Sequence, residues 1–218
     1  SVLQDAVKLD RFQEEALRYL LEGYDVLVCA PTGAGKTKIA EEFARCLLRE
    51  DRGLIYTAPL KAISNQKYRD FSALFGLDWV GLVTGDLSIN RGAPLLVMTT
   101  EIFRNRCFND PDSFAGISCV VFDEIHYLGD GERGTVWEES IIFAPPHLTV
   151  LGLSATVRNA LELGEWMQEV RGKEVKVITE TVRPVPLTFR WILPGGRIVG
   201  EKRARRIIKS ASGRSRSR

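Results

Sequence analysis

The residues best suited to chemistry form an eight-residue loop after an apolar run. The loop reads Ala30, Pro31, Thr32, Gly33, Ala34, Gly35, Lys36 and Thr37. Small residues leave backbone N–H groups open to phosphate oxygens, a lysine ammonium neutralises terminal phosphates, and a threonine hydroxyl can join the ligands of a magnesium ion. Alanine occupies the first position of this pattern, where glycine is usual, and it narrows the allowed backbone without closing it. The loop therefore predicts a polyphosphate site.

Two carboxylates follow a later apolar run that ends at Phe122. Asp123 can anchor a magnesium ion, directly or through water, together with the hydroxyl of Thr37. That arrangement leaves Glu124 to orient a water molecule. The plain alternative for the loop is a glycine-rich turn that happens to precede a helix, and the second acidic segment argues against it. The two segments together predict a phosphate cradle with a magnesium carboxylate.

Helices and strands alternate along the chain and supply the frame for these two segments. The periodicity of apolar residues predicts helices over residues 10–21, 37–50, 60–75, 135–143 and 158–169, and a short helix from residue 101. It predicts strands over residues 25–29, 54–57, 79–83, 95–98, 118–122, 148–153 and 175–178. Continuous apolar strands favour an α/β fold with a mostly parallel sheet covered by helices on both faces.

Polar segments fall at the carboxyl ends of the predicted strands, where such sheets bind their ligands. Besides the phosphate loop and the carboxylate pair, they are residues 57–61, 84–86, 99–101 and 154–156. Loops that a rigid sheet brings to one edge commonly carry function. We therefore expect a single site along this edge.

Composition indicates a globular chain inside the cell. The 218 residues are 44% hydrophobic, enough for a sizeable core, which excludes disorder throughout. No apolar run approaches the length of a membrane span, and the first residues lack the layout of a secretory signal, so we expect a cytoplasmic, reducing location. The cysteines have no C-x-x-C spacing, so we expect neither a disulfide nor zinc. They are Cys29, Cys46, Cys107 and Cys119.

The character of the chain changes near its end. Pro184 and Pro186 end the alternation, and residues 187–193 are a possible final strand. Residues 195–218 carry a formal charge of +8 and the rest of the chain −6. A basic, low-complexity end fits either contact with nucleic acid or a solvated, disordered segment. We expect a domain over residues 1–193 and a tail, or the start of an interdomain linker, over residues 194–218.

With these motifs in view, the chain resembles the first RecA-like domain of superfamily 2 DExH-box helicases, specifically the Ski-like RNA helicase group, over residues 9–193. The most specific match is the run of residues 123–130, Asp-Glu-Ile-His-Tyr-Leu-Gly-Asp, continued by residues 132–139. Residues 133–139 resemble the RNA-acting branch, and residues 183–187 are similar to the segment with which that group leaves its first domain. The resemblance implies a RecA-like P-loop NTPase fold that uses ATP and Mg²⁺.

The resemblance also implies roles in the nucleotide site. Phe12 and Gln13 match the element that reads adenine, because an amide can donate to and accept from the base edge. An ordinary core phenylalanine beside a surface glutamine is the alternative. His126 matches a relay between the nucleotide and a coupling segment. The implied set comprises Lys36, Asp123, Glu124 and His126 for catalysis, Thr37 and Asp123 for magnesium, residues 30–37 for phosphate, and Ser154, Ala155 and Thr156 for coupling.

For nucleic acid, the resemblance implies contacts with the backbone of single-stranded RNA, or possibly DNA. Such contacts carry no base code, so binding is expected to be sequence-tolerant and sensitive to salt. For Lys61 and Lys67, a solvated helix face is the alternative. The implied residues are Pro59, Lys61, Asn65, Gln66, Lys67, Thr84, Gly85, Thr99, Thr100 and Arg104.

Three functions remain open at this point. The favoured one is the nucleotide-binding half of an ATP-dependent RNA helicase, weakly active or inactive alone, because no segment matches the arginine that a second RecA-like domain supplies. The second is a non-motor module that binds nucleic acid, or a DNA helicase domain, with the same fold. The third is a different P-loop enzyme, such as a small-molecule kinase, although no arginine-rich lid is evident between Lys36 and Asp123.

Overall fold

A computed structural model describes residues 8–125, 131–156, 158–181, 190–192 and 198–200. The chain divides into two compact units, Ser1–Arg183 and Pro184–Arg218. Assigning residues 194–218 to a tail or linker stays a prediction. Among the described helices, none combines the length and the apolar character needed to cross a bilayer.

The first unit contains alternating helices and strands, as the periodicity predicts. Its helices are α1 (Arg11–Leu21), α2 (Lys36–Arg49), α3 (Lys61–Phe75), α4 (Thr100–Asn109), α5 (Gly131–Phe143) and α6 (Ala160–Arg171). Its strands are β1 (Asp25–Cys29), β2 (Gly53–Ala58), β3 (Val80–Val83), β4 (Ser88–Ile89), β5 (Leu95–Thr99), β6 (Ile117–Phe122), β7 (Thr149–Ser154) and β8 (Val175–Thr179). Every predicted helix and strand of this unit is confirmed, with ends that move by a few residues.

The strands form one eight-stranded sheet in the order β4-β3-β5-β2-β6-β7-β1-β8. All neighbouring pairs are parallel except β3 with β4, which are antiparallel at the edge. The mostly parallel sheet is therefore confirmed. The two-residue strand β4 is a feature that sequence periodicity missed, because a strand this short has no pattern to read.

Apolar side chains cover both faces of the sheet, which explains the continuous apolar strands. Val26 and Val28 of β1 pack with the helices α1, α2 and α3. Leu27 and Cys29 alternate with these valines along the strand. They point to the opposite face and pack with α4, α5 and α6. Since successive side chains of a strand alternate between faces, a strand buried on both sides must be apolar throughout.

A buried ion pair fixes the amino edge of the sheet. Arg171, at the end of α6, lies 3.0 Å from the carboxylate of Asp25, the first residue of β1, and the two side chains are 3% and 0% exposed. The guanidinium also donates to the carbonyl oxygens of Ala144 and Leu148, and Asp25 accepts from the N–H of Val150. Every nitrogen of the guanidinium and both oxygens of the carboxylate thus have a hydrogen-bond partner, at the edge opposite the phosphate loop.

In the second unit, β9 (Arg190–Ile192) and β10 (Ile198–Gly200) form an antiparallel pair. β9 lies within residues 187–193, where a final strand was expected. Its partner is β10, a strand that sequence periodicity did not predict. Three-residue strands depend on pairing, which periodicity alone does not reveal.

Candidate active site

The phosphate loop joins β1 to α2 and has the backbone that its glycines allow. Gly33 and Gly35 have φ angles of +86° and +88°, a region that residues with a side chain rarely adopt. Ala30, by contrast, extends the parallel ladder of β1, with its N–H donating to the carbonyl of Ser154 at 3.0 Å. It has no positive φ. Alanine therefore fits the first position, where the family pattern prefers glycine.

The start of α1 is tied to the phosphate loop by one side chain. Gln13 is 3% exposed, and its Nε2 donates to the carbonyl oxygen of Gly35 at 2.9 Å. Its Oε1 accepts from the N–H of Asp10 at 2.8 Å. Phe12 beside it is also buried, in the core beneath α1. The alternative of a surface glutamine is therefore wrong, and Gln13 belongs to the phosphate loop's surroundings.

The loop lysine has its ammonium inside the loop. Lys36 Nζ donates to the carbonyl oxygens of Ala30 at 2.5 Å and of Pro31 at 3.2 Å. Burial lowers the pKa of Lys36, and the nearby carboxylates of Asp123 and Glu124 oppose that shift. The ammonium thus lies close to both acidic residues, held by acceptors that a phosphate group could replace.

The carboxylate pair follows β6 at the same edge. Asp123 continues the ladder, donating its N–H to the carbonyl of Thr57 at 2.9 Å. Its Oδ1 accepts from the N–H of Glu124 at 2.9 Å, and its Oδ2 accepts from the hydroxyl of Tyr56 at 2.5 Å. Glu124 has a φ of +61°, a conformation that costs a residue with a side chain roughly 1–3 kcal/mol and clusters at functional sites.

Tyr56 and Lys67 each hold one of the candidate metal ligands. Tyr56 is wholly buried in β2, and its hydroxyl donates a hydrogen bond to Asp123. Burial raises the pKa of Tyr56 well above its usual value, and the charge of Asp123 adds to the shift. Lys67 Nζ, from α3, donates to Thr37 Oγ1 at 3.0 Å.

A cavity of about 390 Å³ opens beside the two carboxylates. Its lining brings together five of the ten residues expected to contact nucleic acid: Pro59, Lys61, Gly85, Thr99 and Thr100. Asp123 and Glu124 line the same cavity. Lys61 pairs with Asp86 at 3.0 Å, and this contact lowers the pKa of the exposed Asp86 carboxyl. Thr84 donates to Asp86 at 3.1 Å and borders the next cavity along the edge.

Besides Thr84, four expected nucleic-acid residues lie outside that lining. Lys67 reaches Thr37, as described, and Arg104 pairs with Glu139 at 3.2 Å. Gln66 donates to Asp70 on its own helix. Asn65 has a buried Oδ1 with no hydrogen-bond partner among the described residues.

The coupling segment lies beside the phosphate loop. Ser154 Oγ accepts from the N–H of Thr156 at 3.2 Å, so the segment folds on itself at the end of β7. The carbonyl of Ser154 accepts from Ala30, which links the segment directly to the loop. Ala155 lies between Ser154 and Thr156 in the sequence. His126, the expected relay, lies outside the described residues.

Sequence reasoning missed three residues of this edge. Tyr56 stands within an apolar strand, so periodicity alone predicts a core residue there and does not reveal a role for its hydroxyl. Arg91 and Arg106 line a second cavity of about 540 Å³, which includes Thr84 and Gly85. They are distant in sequence, and no motif joins them.

Comparison with known proteins gives close relatives. The probable helicase HelY of Mycobacterium tuberculosis is 50% identical over 190 residues, covering 87% of this chain and 21% of that protein. The antiviral helicase SKI2 of Saccharomyces cerevisiae is 46% identical over 180 residues, covering 83% and 14%. The DExH-box ATP-dependent RNA helicase DExH15, chloroplastic, of Arabidopsis thaliana is 47% identical over 188 residues, covering 84% and 16%. The chain spans about a fifth or less of the length of these relatives.

Comparison of structures gives the fold. The crystal structure of the DUF1998 helicase MrfA bound to DNA superposes with a TM-score of 0.64 at 18% identity, over 79% of this chain and 27% of that one. The expected RecA-like α/β fold is thereby confirmed. The model of the DEAD/DEAH box helicase family matches residues 10–163. The chain belongs to the DEAD/DEAH box helicase family, as its resemblance to DExH-box helicases indicated.

Proposed function

We propose that this chain is the nucleotide-binding half of an ATP-dependent RNA helicase. The observation that carries the proposal is that the phosphate loop and the carboxylate pair lie on either side of the end of β7. The N–H of Ala30 donates to the carbonyl of Ser154, and the N–H of Ile125 donates to the carbonyl of Leu153. The charges of Asp123 and Glu124 accordingly oppose the lowering of the pKa of Lys36 by burial. A lysine, a threonine hydroxyl and two carboxylates at one sheet edge suit a nucleoside triphosphate and its metal ion.

The residues of the phosphate loop fit Mg-ATP. The N–H groups at the start of α2 and the ammonium of Lys36 would bind the phosphates. Thr37 and Asp123 would hold a magnesium ion, which supplies positive charge to the phosphate oxygens. Glu124 would orient the attacking water and accept its proton.

Gln13 can read the adenine base with the atoms that the protein leaves to it. One N–H of its amide goes to Gly35 and one lone pair of its oxygen goes to Asp10. An amide has two N–H donors and two acceptor lone pairs, so one of each remains. The base edge of adenine offers a matching acceptor and donor. Phe12 would then hold this part of α1 in the core beside the base.

The cavity beside the carboxylates fits a nucleic-acid backbone. Its lysine, threonine hydroxyls and glycine are typical of phosphate contacts, which position a strand without reading its bases. The name of one relative favours single-stranded RNA, because the Arabidopsis protein DExH15 is named an RNA helicase. The name of MrfA's crystal structure mentions DNA, so a DNA helicase domain is the second candidate.

Efficient hydrolysis and unwinding would need a second RecA-like domain. An arginine delivered by domain closure stabilises the transition state of phosphoryl transfer and accounts for about 10³ to 10⁵ in rate. Relatives of which this chain spans about a fifth have the length for such a domain. We also propose a cytoplasmic, reducing location, which the free thiols of the four cysteines support.

Steady-state ATP hydrolysis by this chain tests the proposal. The assay is run at low salt with and without single-stranded RNA, with Lys36→Ala as the blank and Mg-ATP binding measured in parallel. We expect Mg-ATP binding that Lys36→Ala abolishes, with turnover near the blank. ATP affinity unchanged in Lys36→Ala would overturn the proposal. Turnover well above the blank with RNA would show that the chain completes its own catalytic site and would overturn the need for a second domain.

A further inference from the structure

Two hydrogen bonds hold the candidate magnesium ligands on the side of α3 and β2. Lys67 Nζ donates to Thr37 Oγ1 at 3.0 Å, and the Tyr56 hydroxyl lies 2.5 Å from Asp123 Oδ2. The four residues come from α3, α2, β2 and the end of β6, so tertiary folding alone brings them together.

The chemistry of the partners fixes the direction of both hydrogen bonds. An ionised carboxylate can only accept, so the Tyr56 hydroxyl must donate to Asp123. An ammonium can only donate, so Thr37 accepts from Lys67.

These directions leave atoms available for a metal ion. Thr37 Oγ1 gives one lone pair to Lys67 and keeps the other. Asp123 accepts from Tyr56 on Oδ2 and from the N–H of Glu124 on Oδ1, so the carboxylate cannot rotate without losing both bonds. A hydroxyl lone pair and a carboxylate that are each held by a hydrogen bond suit a small divalent cation.

We propose that Tyr56 and Lys67 are positioning residues that orient the two magnesium ligands, Thr37 and Asp123. This inference rests on the proposed nucleotide site and assigns it two residues. Neither residue touches the nucleotide; each acts through the ligand that it holds. For Lys67 the assignment differs from the contact with nucleic acid that the family resemblance implies, because its ammonium is engaged at Thr37.

The environment of the Lys67 ammonium supports this role. It lies 5.8 Å from the ring centroid of Tyr56, within the range of a cation–π contact. Its charge also counteracts the burial that raises the pKa of Glu41, one helical turn beyond Thr37 on α2. The ammonium is therefore enclosed by groups of the nucleotide-binding helix and of β2, on the side of Thr37 that faces α3.

The test compares nucleotide affinity with and without magnesium. The variants are Tyr56→Phe and Lys67→Met, which keep the size of each side chain and remove its hydrogen bond, with Tyr24→Phe as a matched loss of a tyrosine hydroxyl before β1. The dissociation constant of a fluorescent ATP analogue is measured in Mg²⁺ and in EDTA. Residues that support metal ligands typically contribute about 10- to 100-fold to metal affinity. In the wild type, Mg²⁺ should give a lower dissociation constant than EDTA. We expect each variant to reduce this difference by about tenfold or more, with the dissociation constant in EDTA unchanged.

Three other results would overturn the inference. If magnesium increases nucleotide affinity as much in both variants as in the wild type, the two hydrogen bonds do not orient the ligands. Equal losses in Mg²⁺ and EDTA would indicate a general structural defect. If Lys67→Met weakens binding of single-stranded RNA but magnesium still increases nucleotide affinity as in the wild type, Lys67 contacts nucleic acid and does not orient Thr37. If the wild-type chain binds no nucleotide at all, the proposed function itself fails, so that the two failures are distinguishable. Should Tyr56→Phe not fold, Lys67→Met alone decides the outcome.

Discussion

The side-chain amide of Gln13 donates to the carbonyl oxygen of Gly35, 2.9 Å away, and so joins the first helix to the phosphate loop. A Cβ added to Gly35 would lie 2.7 Å from Gln13 Nε2, closer than real contacts allow. Gly35 also has a φ of +88°. The glutamine and the glycine are therefore fitted to each other: the loop needs the glycine both for its backbone and for the space that the amide occupies.

Gln13→Ala should weaken ATP binding more than GTP binding. The substitution removes the amide that would read the base and also the hydrogen bond that steadies Gly35. One lost hydrogen bond of this kind is worth about 0.5–1.5 kcal/mol, so we expect a severalfold to about tenfold higher dissociation constant for ATP. Calorimetric titration with ATP and GTP measures both effects. Equal losses for the two nucleotides would mean that Gln13 supports the loop without reading the base.

Glu124→Gln should separate binding from chemistry. The amide keeps the size of the side chain and removes the carboxylate that would accept a proton from water. We expect unchanged Mg-ATP affinity and loss of whatever slow hydrolysis the chain performs, measured by single-turnover release of phosphate. Hydrolysis at the wild-type rate in Glu124→Gln would assign the orientation of water to another group.

The double variant Arg91→Ala, Arg106→Ala should lower the salt sensitivity of RNA binding. Burial and the charge of Arg91 lower the pKa of Arg106, so the two guanidinium groups repel each other beside Thr84 and Gly85. A backbone phosphate in this cavity would relieve the repulsion. Two lost phosphate contacts reduce the slope of log K against log salt by about 1.4 for a single strand.

The lining of this cavity also includes carboxylates, which would repel a phosphate group. Asp86 and Asp110 are part of its lining, although Asp86 is already paired with Lys61. Fluorescence anisotropy of a labelled single strand at several salt concentrations gives the slope. Nucleotide affinity serves as the control and should not change. An unaltered slope would show that RNA does not reach this second cavity.

Arg171→Met should destabilise the fold without affecting the nucleotide site. The substitution leaves the buried carboxylate of Asp25 without its cation, and losing one partner of a buried pair costs about 3–5 kcal/mol. Urea unfolding measures the free energy. The matched control is Arg18→Met, which removes an exposed pair with Glu22 and should cost about 0.5 kcal/mol or less.

A variant that replaces both buried charges tests the cause. Asp25→Leu with Arg171→Met removes the charge that the single variant strands, so it should recover part of the lost stability. If Arg171→Met alone unfolds no more easily than Arg18→Met, the buried pair contributes nothing measurable. As long as Arg171→Met is folded, its ATP affinity should match that of the wild type. The ion pair lies at the edge of the sheet opposite the phosphate loop.

Local sequence was sufficient for the elements and for the loops that carry the site. The alternation of apolar runs located every α-helix of the first unit and every strand except the two-residue β4, and the motif residues 30–37 and 123–124 lie at the carboxyl edge, as expected. Periodicity could do this because both faces of the sheet are buried, which leaves a strong and continuous signal in each strand.

Long-range contacts set the limit of that reasoning. Tyr56 is indistinguishable from a core aromatic until β6 places Asp123 against its hydroxyl. Lys67 has the appearance of one more solvated lysine on α3 until α2 places Thr37 beside it. Sequence position says which helix carries such a side chain, but only the packing of one helix against another says what it meets.

Helix α3 carries one residue of each of the two proposed sites. Lys61, in its first turn, lines the cavity proposed to bind nucleic acid, and Lys67 donates to Thr37 of the phosphate loop. Six residues of helix span about 9 Å along the axis. Since one continuous helix carries both lysines, a displacement of α3 would move the two ammonium groups together and would alter a contact in each site.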